Sequence, residues 1–157
     1  MGASPKIKVA PGTPQPTQGD MKLSLKVEYA CQVLAQLGHT HGRKELPHID
    51  DLSRAEEVPS NYLVQILNEL RNAGLITSRR GKQGGYALAR SPREITLCDV
   101  VRALDGGVLE FSAETRGASA ERTKAIWREV GGFLEEKLRG YTVEDFMTAG
   151  APEMYYI

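Results

Sequence analysis

Residues 48–90, HIDDLSRAEEVPSNYLVQILNELRNAGLITSRRGKQGGYALAR, decide how this chain folds. Ile49, Leu52 and Ala55 recur at threes, while Leu63, Ile66, Leu67 and Leu70 recur at threes and fours, so the spacing predicts two amphipathic helices. Val58, Pro59 and Ser60 lie between them. Proline disfavours helix in the residue before it and suits the first turn of the helix after it. A short corner between two helices is the helix-turn-helix arrangement.

Burial of the second stripe leaves Ser60, Asn61, Val64, Gln65, Asn68 and Asn72 on the opposite side of that helix. Amides pair with adenine and hydroxyls with several base edges in a major groove, and a helix N-terminus accepts a phosphate. A solvated surface helix would carry a similar face, so the flanking sequence must decide. Residues 76–79 and 86–89 alternate as two strands, with Gly81, Gly84 and Gly85 supplying the turn. Between Glu69 and Glu94 there is no acid, yet Arg71, Arg79, Arg80, Lys82, Arg90 and Arg93 lie there. A basic hairpin directly after a helix-turn-helix is a wing suited to phosphates or a minor groove.

These residues also carry a family resemblance. NYLVQILNELRNAGLITSRRGKQGGYALAR, preceded by MKLSLKVEYA and followed by ITLCDVVRALDG, resembles the bacterial winged helix-turn-helix regulators that include IscR and NsrR. Its most specific parts are Tyr62-Leu63 with Gln65, the Leu70 to Gly74-Leu75 ending, and the wing from Arg80-Gly81 to Gly84-Gly85-Tyr86. The similarity spans residues 21–106 and extends more loosely beyond. It implies a transcription regulator, and it implies phosphate contacts at the start of the first helix through Ser24 and Lys26. Cluster-binding members carry three cysteines between the helix after the wing and the dimerisation helix. Residues 106–127 of this chain hold no cysteine and no histidine, so thiolate ligation of an iron-sulfur cluster is not expected there, nor any other cofactor.

Formal net charge is zero, with 20 basic and 20 acidic residues, but the distribution is uneven. Residues 21–90 carry ten Lys/Arg against seven Asp/Glu, and residues 91–157 carry eight against twelve. Positive charge is gathered where the reading motif lies. No run approaches the ~20 apolar residues of a membrane helix, so no membrane partner and a cytoplasmic location are expected. Cys31 and Cys98 are too few for a disulfide scaffold and lack zinc-ligand spacing. His39, His41 and His48 have no carboxylate or thiol at ligand spacing, and no metal site is expected.

The proline- and glycine-rich residues 1–20 read as a disordered extension, with Lys6 and Lys8 too sparse for a groove-tracking arm. The first helix is expected over residues 22–37, with Leu23, Val27, Ala30, Cys31, Leu34 and Leu37 on one side and Gly38 ending it. Thr96 and Asp99 form a capping box for a short helix that carries Leu97, Val100, Val101 and Leu104 inward, with Cys98 at the edge of the stripe and Gly106-Gly107 at its end. Over residues 120–138 Ile126, Trp127, Val130, Phe133, Leu134 and Leu138 recur at helical spacing, a stripe too large for a small winged domain to hide. Burial against a second copy answers it. Gly131-Gly132 marks either a close helix crossing or a kink. Another short helix starts at Thr142, and Met154, Tyr155 and Tyr156 form an apolar tail that covers part of the dimer.

The fold expected is mainly α with a small β wing: residues 21–106 a winged helix-turn-helix DNA-binding domain, residues 107–157 a dimerisation helix and tail. The function expected is a homodimeric repressor on an inverted-repeat operator in double-stranded DNA. Ser60, Asn61, Tyr62 and Gln65 would stand at the groove, with Arg79, Arg80, Lys82 and Gln83 in the wing. The chain has no phosphate loop between strand and helix, no serine elbow and no Cys/His nucleophile pair, which sets an enzyme aside. Two alternatives stand beside the repressor: a winged-helix protein-interaction module, and a redox regulator working through Cys31 and Cys98.

Overall fold

The computed structural model describes residues 23–109 and 114–148. In chain order these form α1 (Leu25–His39), α2 (Ile49–Glu56), α3 (Ser60–Asn72), β1 (Ile76–Arg79), β2 (Gly85–Leu88), α4 (Leu97–Asp105), α5 (Ala120–Arg139) and α6 (Val143–Thr148). The extension 1–20 and the Met154–Tyr156 tail lie outside the described residues.

The corner between α2 and α3 is held by local bonds. Glu57 adopts the left-handed conformation at φ 53°, which a non-glycine residue accepts at a cost of about 1 kcal/mol or more. That reversal drives Val58 into the core, where it is 1% exposed. The Ser53 hydroxyl donates to the Val58 carbonyl at 2.6 Å, and the Val58 amide donates to the Ser53 carbonyl at 3.1 Å. Pro59 caps α3 from just outside the helix, its carbonyl accepting from the Tyr62 and Leu63 amides. Ala55, expected on the buried stripe of α2, is exposed, and Val58 takes the core position instead.

At its other end α3 closes with paired bonds, Leu75 N–H to the Leu70 carbonyl and Gly74 N–H to the Arg71 carbonyl, each 3.0 Å. With Gly74 at φ 77° and both leucines buried, this is a Schellman ending. It turns the chain directly into β1. β1 and β2 pair antiparallel, Ile76 opposite Leu88 and Arg79 opposite Gly85, so the second strand begins one residue earlier than its alternation predicts. The shift has a physical reason. On the far side of β2 the Pro47 carbonyl accepts from the Tyr86 amide at 3.0 Å, and a Cβ on Gly85 would stand 2.6 Å from that same oxygen.

The core joins Val27, Ala30, Val33, Leu34 and Leu37 of α1 to the stripe of α3, Leu52 of α2, Ile76 and Leu88 of the strands, and Val100, Val101 and Leu104 of α4. Each Val, Leu and Ile side chain among these contributes roughly 1.5–3 kcal/mol on burial. Leu23 precedes the first helix and is exposed, contrary to its expected place in the stripe. Gly38 does not end α1: it is buried inside the helix, and the side chain of Met147 on α6 occupies the space a larger residue would need. α6 reaches α1 because residues 95–97 and 141–143 bridge, with Leu97 N–H donating to Tyr141 and Val143 N–H to Ile95.

α4 has the expected capping box, Thr96 N–H to the Asp99 carboxylate at 3.0 Å and Asp99 N–H to the Thr96 hydroxyl at 3.1 Å. Gly106 ends it in the left-handed conformation. The helix is rolled further than its sequence suggests, so Cys98 is buried and Leu97 is only half-buried. α5 runs unbroken through Gly131-Gly132 and has no buried residue. It touches the rest of its subunit through Leu138, which packs against the core, and through Arg102 with Glu135 at 3.1 Å.

Burial, followed by the Glu28 carboxylate, pushes the Cys31 thiol from its ordinary value of 9.0 up to about 11. Below pH 9 the thiol is neutral in folded and unfolded chains alike; between pH 9 and 11 only the unfolded chain loses the proton, so stability falls as pH rises through that window. Urea unfolding at steps across it should show a shallower decline for Cys31→Ala than for the native chain. Gly85→Ala should cost about 2–3 kcal/mol in the same assay, because φ of 138° and the Pro47 carbonyl both oppose a side chain. An unchanged unfolding midpoint would contradict that reading of the wing.

Candidate nucleic-acid interface

The buried stripe of α3 turns Ser60, Asn61, Val64, Gln65, Asn68 and Asn72 outward, and all six are exposed. Among the described residues neither the Asn61 nor the Gln65 amide is spent on an internal hydrogen bond. Ser60 donates to the Ser53 hydroxyl at 3.1 Å, a contact that braces the first turn of the helix and leaves the Ser60 oxygen at the surface. Tyr62, expected at the groove, is half-buried. Its ring meets Tyr29 of α1 edge-on, centroids 5.8 Å apart and planes at 76°, so it orients α3 on α1.

The wing throws its polar side chains outward. Gly84 N–H donates to the Gly81 carbonyl at 2.9 Å, Gly81 lies at φ 97°, and Gly84 is packed so closely that a Cβ would collide with the Arg79 and Gly81 carbonyls. Around this tight loop Arg79, Arg80, Lys82 and Gln83 are all exposed. Among the described residues none of these three cations has a carboxylate partner. Several cations elsewhere are compensated: Lys26 pairs with Glu69 at 3.0 Å, Arg93 with Glu144 at 3.0 Å and Arg102 with Glu135 at 3.1 Å. The hairpin that follows α3 therefore carries three exposed, uncompensated cations.

The two residues expected at phosphates by resemblance each have a partner inside the subunit. The Ser24 hydroxyl accepts from the Val27 amide, capping α1, and donates to Asp105 at 3.2 Å. Lys26 is partly buried against Glu69, so its charge fastens α1 to α3. Sequence reasoning also passed over Arg71 as one basic residue among several. Its guanidinium donates to Asn68 at 3.2 Å and to Ser78 at 3.3 Å, joining the end of α3 to the first strand of the wing. The spacing of Asn68 and Arg71, one helical turn apart, was the available signal.

On α5 Ile126, Trp127, Val130, Phe133 and Leu134 are exposed together, Phe133 to 71%. Leu138, grouped with them by spacing, faces its own core. No described helix is long and apolar enough to cross a membrane.

The sequence pattern of the Rrf2 family, described as an iron-dependent transcriptional regulator, matches residues 23–149. An HTH-type transcriptional regulator of Bacillus subtilis, CymR, is 31% identical over 137 residues, covering 86% of this chain and 97% of its own. The solved structure of B. subtilis CymR, titled the global cysteine regulator, superposes with a TM-score of 0.69 at 29% identity over 82% of this chain and 98% of that one. The structure of T. potens IscR gives 0.64 at 33% identity over 86% of this chain and 96% of that one. The iron in the family description finds no fitting thiolate set here: the two cysteines lie on α1 and α4, one of them buried, and no described group of three His, Cys, Asp or Glu residues is placed to hold a metal. The match across nearly the whole described chain, on a helix-turn-helix with a cationic wing, places this protein in the Rrf2 family of DNA-binding transcriptional regulators.

Proposed function

We propose that this regulator acts as a homodimeric repressor on an inverted-repeat operator in the cytoplasm, without an iron-sulfur cluster. The observation that carries the reading is the combination of exposed, unpaired wing cations with unspent amides on the polar face of α3, in a subunit whose α5 leaves an aromatic and aliphatic face uncovered. A closed two-fold dimer presents the same surface twice. An inverted repeat requires two copies of α3 about one helical turn of DNA apart, roughly 34 Å, and the α5 face is the surface offered for the pairing. Asn61 and Gln65 make the base contacts, Ser60 assists at the helix N-terminus, and Arg79, Arg80, Lys82 and Gln83 hold phosphates or the flanking minor groove. Repression follows from occupancy, because a dimer over both half-sites excludes polymerase from the same duplex. A thiol switch is disfavoured by a buried Cys98 and by a Cys31 thiol held up near 11, which leaves little thiolate at neutral pH.

Phe133→Glu should convert the dimer to a monomer in light scattering and weaken binding to fragments of the chain's own promoter by more than about 100-fold, since each half-site then binds alone. A dimer of unchanged mass would refute the α5 assignment. If Arg80 holds phosphate, Arg80→Ala should lower affinity for all duplexes alike and reduce the salt slope by ~1 per subunit. If it reads a groove, the loss should concentrate at particular base pairs; no loss on any duplex removes Arg80 from the interface. Gln65→Ala should cost about 1–3 kcal/mol at the operator and little on random DNA, measured by fluorescence anisotropy.

A further inference from the structure

Val64 is not part of the hydrophobic core. It is 45% exposed and stands on the polar side of α3, one turn after Asn61, one turn before Asn68 and next to Gln65. The core stripe of the helix is complete without it in Leu63, Ile66, Leu67 and Leu70. A β-branched side chain also lowers helix propensity relative to the straight-chain residues that usually fill an exposed position. Among the described residues the other large exposed apolar side chains belong to α5, to Tyr141 just after it, to Leu25 at the start of α1 or to Leu23 just before it. Val64 alone interrupts a face of amides and hydroxyls, within the first two turns of the helix, the part of a recognition helix that approaches base edges.

We infer that Val64 is a specificity residue that packs on the C5-methyl group of a thymine in each operator half-site. The inference rests on the operator-binding reading above. Among the base-edge groups displayed in the major groove, that methyl is the apolar one. An isopropyl group can neither donate nor accept a hydrogen bond. Against the amino group of cytosine or the O6 of guanine it would strip water from a polar edge and return nothing, so the same contact that favours thymine rejects its competitors. The neighbouring amides suit this arrangement, because Asn and Gln pair with adenine and A·T pairs display adenine edges and thymine methyls in one groove.

The test starts from a randomised duplex pool, enriched on the native dimer and sequenced. Each thymine of the enriched site is then replaced by uracil, which lacks only the methyl group, and affinity is read by fluorescence anisotropy at one fixed salt concentration. The expected result is a symmetry-related thymine whose replacement weakens the native protein about four-fold per half-site, the size of one buried methyl group. Val64→Ala, which should keep the native melting temperature and dimer mass, should be indifferent to uracil there while responding normally at other positions. If a site is enriched but no uracil substitution distinguishes the two proteins, the Val64 inference is overturned and operator binding stands. If the pool yields no enriched sequence, both fall.

Discussion

The corner from Ser53 to Ser60 is the constraint on which the rest of the structure depends. A left-handed Glu57 reverses the chain, Val58 plugs the core, and the Ser53 hydroxyl satisfies the carbonyl that the reversal would leave open. Those contacts set the rotation of α3 about its own axis. Once Leu63, Ile66, Leu67 and Leu70 are buried, Asn61 and Gln65 must face outward. The Tyr29–Tyr62 ring contact and the Lys26–Glu69 ion pair add two further ties between α1 and α3. The polar face of α3 is thus presented by a rigid element, which suits contacts that depend on amide geometry.

Charge is arranged by subtraction. Exposed ion pairs contribute little to stability, typically 0–1 kcal/mol, so the pairs at Arg93 and Arg102 matter less for what they hold than for what they neutralise. With those cations compensated, Arg79, Arg80 and Lys82 stand exposed and without a carboxylate partner on one short hairpin. The glycine-closed loop keeps these side chains outside the hairpin, and the Schellman ending of α3 gives the hairpin its direction. Arg71 completes the link by bonding both elements.

α5 is attached differently from every other helix. It buries nothing fully within its own subunit and is held through Leu138 and the Glu135 carboxylate, which receives both Arg102 and Arg139. α6, by contrast, returns to the winged part and packs on α1 at Gly38. The two helices after α4 thus face different ways, α5 outward and α6 inward.

Helix periodicity, the proline at the corner, the glycines of the wing and the acid-free basic interval were legible in the sequence because each rests on neighbours within a few positions. The capping box of α4 and the polar face of α3 were legible for the same reason. What tertiary structure decided were partnerships between residues far apart: Ser24 with Asp105, Lys26 with Glu69, Tyr62 with Tyr29 and Gly38 with Met147. Ser24 and Lys26 carry the residue types a phosphate contact needs, yet only packing reveals that another element already holds them. The sequence alone thus determined which elements form and which faces are polar, since both follow from local periodicity; which polar groups remain free was decided by the way α1, α3 and α4 come together.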